Sequence, residues 1–158
     1  MPALEPRPLD WLATAPVRIE LAREMSVSAA AAFAVVADHE RWPDWFSQLK
    51  RVEVTGAPTG VGGQRRVALA GVVVDEVFIA WEPDRLFAFT VTHATRPMAK
   101  AMVEAVQVEP LGDDRCRVTY TQALEPYGWM KPMVPVMRRA MRSMLAKALS
   151  GLEQAARR

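Results

Sequence analysis

The chain predicts an α+β fold, a curved antiparallel sheet of about seven strands wrapped around one long C-terminal helix, with two short helices after the first strand. Three observations carry that expectation. Between Lys50 and Leu124, apolar and polar residues alternate in six successive segments, the period of half-buried strands. From Gly128 to Ala156 apolar side chains instead recur every three or four positions, and no β-branched residue follows Val136. The remaining helical stretches lie between the opening strand and this run, and strands bracketed by helices mark α+β rather than α/β architecture.

Taken in order, residues 1–16 ("MPALEPRPLDWLATAP") hold four prolines and read as an irregular arm with Trp11 as an anchor, ahead of a single domain over 17–158. "VRIELAREMSV" (Val17–Val27) alternates Val17, Ile19 and Leu21 against Arg18 and Glu20, a half-buried strand. Ser26 or Ser28 can cap a helix in "SAAAAFAVVAD", with Phe33, Val36 and Ala37 on one face. "DHERWPDWFSQL" follows as a second short helix or turn, broken by Pro43. The strands then come as "KRVEVTGAP", two in "QRRVALAGVVVDEVFIAWEP" around a turn near Ala70–Gly71, "DRLFAFTVTHA" after a Glu82–Asp84 turn, and two in "KAMVEAVQVEPLGDDRCRVTYTQAL" around Leu111–Asp114. The closing helix would span about 43 Å at 1.5 Å per residue. Its stripe is Met130, Met133 or Val134, Met137, Met141, Met144, Ala148 and Leu152, and Pro132 and Pro135 confine its start to loose first turns.

Composition narrows the class. Apolar residues make up 51% and charged residues 24%, the balance of a soluble globular domain. Cys116 is the only cysteine, which rules out an intramolecular disulfide and fits a reducing compartment. The longest apolar run, Ala29–Ala37, is half the roughly 18 residues of a membrane span. The opening residues lack a charged segment followed by an apolar one, so a secretory signal is not expected and a cytoplasmic location is. A net charge of +2 is too small to argue for nucleic acid. The basic cluster Arg138, Arg139, Arg142 and Lys147 reads as a solvated helix face that allows weak contact with a membrane surface. Both monomer and homodimer are compatible with the sequence.

Strand alternation nominates inward-facing residues. Phe87, Phe89, Val91 and His93 share one face, as do Met102, Glu104, Val106 and Val108, and Cys116, Val118, Tyr120, Gln122 and Leu124. That places His93, Glu104 and Tyr120 as polar groups in an apolar interior, where they must pair or serve a ligand, and makes them the candidates for proton transfer. Trp42 and Trp45 read as packing anchors at a cavity mouth, and Tyr127, Gly128 and Trp129 as a hinge and plug. Met133, Met137 and Met141 would form a flexible, polarizable wall. His39, at a helix end, is expected to be exposed and without a role. One cysteine and two distant histidines cannot assemble a structural zinc site, and "GVGG" is a turn rather than a phosphate loop, so neither metal nor cofactor is expected.

The element order, together with "VSAAAAFAVVAD", the "WPDWF" of Trp42–Phe46, "GVGGQRRVAL" and the W-x-P-x-R-L of Trp81, Pro83, Arg85 and Leu86, resembles the START-like (SRPBCC) superfamily. Within it the likeness is to the polyketide cyclase/dehydrase and lipid-transport group, over about residues 17–156. The resemblance implies a helix-grip fold with a deep apolar cavity between sheet and long helix, open to lipids, polyketides, sterols or quinones. An unfilled cavity of about 300 Å³ would cost about 7 kcal/mol, comparable to a domain's whole stability, so such a space must be occupied, hydrated or partly collapsed. The leading expectation is non-enzymatic binding or transport of a hydrophobic small molecule. The alternatives are a polyketide aromatase/cyclase or dehydratase using the same cavity, and a membrane-associated protein resembling coenzyme Q-binding accessory proteins. The residues expected to line the site are Trp45, Phe87, Phe89, Val91, His93, Met102, Glu104, Val118, Tyr120, Trp129, Met133, Met137 and Met141.

Overall fold

A computed structural model describes all 158 residues. Strand β1 (Val17–Met25) is followed by helix α1 (Ala29–Ala37) and a 3-10 helix over His39–Asp44. Six strands then run in succession: β2 (Leu49–Val54), β3 (Gln64–Leu69), β4 (Val72–Glu82), β5 (Leu86–Ala94), β6 (Ala101–Gly112) and β7 (Arg115–Glu125). The chain ends on a 3-10 turn over Gly128–Met133 and helix α2 (Val134–Ala156). All seven strands form one antiparallel sheet in the order β1-β7-β6-β5-β4-β3-β2. Each strand from β2 to β7 lies beside its sequence neighbour, and the last strand returns to pair with the first. The fold is the helix-grip arrangement expected from the pattern.

Local signals set the boundaries. The Ser28 hydroxyl accepts from Ala31 N at 3.0 Å and caps α1. The β3–β4 turn needs positive φ at Gly71 (79°), a conformation that costs glycine nothing. Pro132 falls within the 3-10 turn and Pro135 at the first turn of α2, where a missing N–H breaks no helical bond. The α-helix proper therefore begins at Val134 and is about 35 Å long.

Helix α2 packs on β1 and α1, and its Leu145, Leu149 and Leu152 are buried in the main core. Two features fix its position. A Cβ on Gly151 would stand 2.5 Å from the Trp45 carbonyl oxygen, so only glycine allows this approach. Glu153 accepts from Ser26 N and from Arg23 Nε, both at 2.9 Å, tying the helix to the β1–α1 junction.

The arm over residues 1–16 docks on the sheet. Paired β5–β6 register runs from Leu86↔Gln107 to Thr90↔Val103 and then stops. Into the widening gap the arm inserts, Leu4 N donating to Thr92 O at 2.9 Å and Glu5 N to Lys100 O at 2.8 Å. Leu4 is buried in the main core, while Leu9 and Leu12 cover Ala80, Ala88 and Ala105 on the convex face.

Candidate functional site

At one end the inner face of the sheet is filled where Phe33 of α1 meets Phe78, Trp81 and Phe87, whose rings contact edge to face or stacked within 6.0 Å. Toward the other end the packing opens into a cavity of about 220 Å³. Met137, Met141 and Met144 of α2 form one wall, with Val67, Val74, Phe89, Val91 and Leu124 of the sheet opposite. Trp42, Phe46 and Leu49 close one side, and Met98, Ala99 and Met102 lie near the β5–β6 gap.

The cavity also has a polar pole, made of Arg65, Glu76, Glu104, Tyr120 and Gln122. Arg65 and Glu76 stand directly opposite each other on β3 and β4, and Arg65 Nε donates to Glu76 Oε1 at 2.6 Å. Only 1% and 6% of these side chains is exposed, so the pair is desolvated and must be satisfied internally. The guanidinium lies 4.0 Å from the Trp42 ring centre and 4.9 Å from that of Phe89, and its Nη1 meets His39 Nδ1 at 3.3 Å. Nearby, Glu104 Oε1 accepts from the Tyr120 hydroxyl at 2.7 Å and from Gln122 Nε2 at 3.2 Å.

Burial governs the protonation of this cluster. It pushes the Glu76 carboxyl up to about 7, against the pull of Arg65 and with help from Glu104. Glu104 is likewise raised by burial, opposed by the hydrogen bonds from Tyr120 and Gln122. Burial and then the Glu104 charge lift the Tyr120 phenol well above its ordinary range. His39 falls to about 4, through burial and then Arg65, so it is neutral at pH 7. Its Nε2–H donates to Pro58 O at 2.8 Å while Nδ1 accepts from Arg65.

Of the residues nominated from sequence, Phe89, Val91, Met102, Glu104, Tyr120, Met137 and Met141 stand on the cavity. The others lie elsewhere. Phe87 and Val118 face inward but sit one alternation step toward the filled end, inside solid core. Trp45 is buried against Trp42, with ring centres 4.5 Å apart, and borders a groove between α1 and the end of α2 instead. His93 is exposed, because Asp75 pairs with His93 but Glu76 with Val91. Thr92 is the extra residue of that bulge, which reverses the alternation and turns Ala94 inward in place of His93. Trp129 is 62% exposed and stacked on Tyr127, and Met133 is 44% exposed. The 3-10 turn that carries both does not continue the stripe of α2. His39, expected in solvent, is 3% exposed and packed on Phe78 and Phe87.

Sequence reasoning did not single out Arg65 and Glu76, although a signal existed. They are equidistant from the Ala70–Gly71 turn, so hairpin pairing sets them opposite each other, and alternation with Val67 and Val74 turns both inward. Nowhere do three His, Cys, Asp or Glu side chains converge as a metal-ligand set. No helix is long and apolar enough to cross a membrane.

A curved antiparallel sheet gripping a C-terminal helix over an apolar cavity defines a START-like domain, and solved structures share it. A START superfamily protein from Mycobacterium smegmatis aligns with a TM-score of 0.71 and 20% identity, over 87% of this chain and 97% of that one. An aromatase/cyclase from a Streptomyces species aligns at 0.75 and 17%, over 90% and 94%. Truncated norcoclaurine synthase from Thalictrum flavum aligns at 0.66 and 17%, over 87% and 91%. In sequence, uncharacterized proteins of Mycobacterium tuberculosis and Mycobacterium bovis are 30% identical over 148 residues, covering 92% of this chain and 88% of theirs. The family model described as polyketide cyclase / dehydrase and lipid transport matches residues 16–157, and the chain belongs to that family.

Proposed function

We propose that the protein binds a hydrophobic small molecule in the cavity between the sheet and α2 and acts as its carrier. The observation that supports this reading best is the cavity's size set against its lining. At about 24 cal/mol per Å³, 220 Å³ left unfilled would cost about 5 kcal/mol, a large share of a domain's 5–15 kcal/mol. The methionines on α2 and the β5–β6 connection suit a wall that repacks around its occupant. Native mass spectrometry of freshly purified protein, followed by denaturing extraction, tests the reading. A co-purifying apolar molecule that raises the melting temperature when added back is the expected result. A clean protein mass, with no melting shift from any of a hydrophobic library, would contradict it.

A second reading is favoured by one arrangement, the Tyr120–Glu104 contact at 2.7 Å on the cavity wall. Burial raises the Glu104 carboxyl and so favours the protonated form, which can deliver a proton to a carbonyl oxygen, the step that aldol closure and dehydration of a polyketone require. On this reading Glu104→Gln abolishes turnover of a polyketone while binding persists. His93, in solvent, takes no part. A surface contact with anionic lipid is compatible with either reading, since Trp129, Met133 and Val136 are exposed beside Lys131 and Arg138.

A further inference from the structure

We infer that the cavity's occupant is a compact, uncharged molecule of about ten non-hydrogen atoms carrying a hydroxyl group, seated with that hydroxyl at Gln122, Glu104 and Arg65. This rests on the binding reading above and adds to it the size, charge and polar group of the ligand.

Size follows from volume. An apolar cavity of about 150 Å³ takes up benzene, so 220 Å³ suits a bicyclic aromatic or alicyclic body and is too small for a sterol or a two-chain lipid. Charge follows from the polar pole. Arg65 is already matched by Glu76 at 2.6 Å and capped by the Trp42 face at 4.0 Å. Above pH 7, where Glu76 is ionised, an anionic head group would meet a cation already paired with a carboxylate and would be repelled by that carboxylate. A cationic one would meet Arg65, already enclosed, in a site with little solvent to screen it.

The hydroxyl follows from an unpaired atom. Gln122 is 4% exposed, and its Nε2 is spent on Glu104 Oε1. Its Oε1 is buried on the cavity and has no protein donor. A buried acceptor without a partner is costly, and a pure hydrocarbon would leave it so. A hydroxyl donates to Gln122 Oε1 and accepts in return from Arg65 or from a protonated Glu104. The amide orientation is set by Glu104, since reversal would turn the Gln122 oxygen toward Oε1, which already accepts from the Tyr120 hydroxyl.

Calorimetric titration at about pH 8, where Glu76 is ionised, with naphthol, naphthalene, methoxynaphthalene and naphthoate tests the inference. Naphthol is expected to bind about tenfold more tightly than naphthalene, the yield of one well-made buried hydrogen bond, and naphthoate more weakly than either. Gln122→Leu should remove the preference for naphthol over naphthalene. Equal affinity for naphthol, methoxynaphthalene and naphthalene, or tightest binding of naphthoate, would overturn the inference while leaving a hydrophobic binding site in place. Failure of all four probes, naphthalene included, would overturn the binding reading with it. The four probes on the wild-type protein decide the matter even if the Gln122 variant does not fold.

Discussion

Replacing Glu76 with glutamine removes a titrating group while keeping an acceptor for Arg65 Nε, and its effect on stability should depend on pH in a calculable way. Glu76 holds its proton to about pH 7 in the folded protein, against 4.5 for an unperturbed carboxyl. The groups around it are Arg65, which opposes the shift, and Glu104 and Asp75, which reinforce it. A carboxyl raised on folding contributes stability that is full below pH 4.5 and lost as pH rises through 7, because the unfolded chain releases the proton first. At roughly 1.4 kcal/mol per pH unit across that window, the loss comes to about 3.5 kcal/mol. His39 works in the opposite sense, since a histidine depressed to about 4 stabilises more as pH rises through the acid range. The Glu76→Gln comparison cancels that contribution because His39 stays in both proteins. Urea unfolding should therefore find the two proteins within about 1 kcal/mol at pH 5, with the variant more stable by 2–3 kcal/mol at pH 8, a midpoint difference of about 1 M. A stability difference that is the same at both pH values, or a variant that loses stability at pH 8, would refute the assignment of Glu76 as a raised buried acid.

Other substitutions probe the grip of helix on sheet. Leu145→Ala empties a fully buried position on α2 and should cost 2–5 kcal/mol by urea midpoint. Gly151→Ala drives a methyl group toward the Trp45 carbonyl and should cost about 1–3 kcal/mol, although alanine is the better helix former. Glu153→Ala breaks the bonds to Ser26 N and Arg23 and should cost about 1.5–3 kcal/mol at pH 7. Its carboxyl lies below the ordinary range, first through the Ser26 bond, so that cost should shrink as pH falls through its titration. If the exposed end of α2 meets lipid, sedimentation with anionic vesicles should weaken with added salt and on charge reversal at Arg138, Arg139 and Arg142, and binding unchanged by either would exclude the contact.

The fold was legible because its signals are local and repeated. Alternation marked each strand, Ser26 or Ser28 marked the start of α1, which Ser28 caps, and the spacing of Met137, Met141, Met144, Ala148 and Leu152 marked the face of α2. The site was legible only where alternation ran unbroken. On β6 and β7 it placed Met102, Glu104 and Tyr120 on the cavity side. On β5 one bulged residue, Thr92, inverted the phase and sent His93 to the surface, and nothing in the composition of "FTVTHA" announces that insertion. The gap between β5 and β6, filled by the arm at Leu4 and Glu5, likewise depends on pairings between distant segments. The His39 environment comes from Pro58 and Arg65, 19 and 26 residues away, which helical phase does not encode.

The measurement that bears most directly on the central claim is thermal unfolding and naphthalene titration of Val74→Phe beside the wild type. Val74 is buried on β4 and faces the cavity, so a phenyl ring there would occupy space rather than displace packed atoms. A cavity that serves as a binding site predicts unchanged or raised stability together with loss of naphthalene binding. A loss of about 1–3 kcal/mol, as for overpacking of solid core, with naphthalene affinity unaltered would contradict the account.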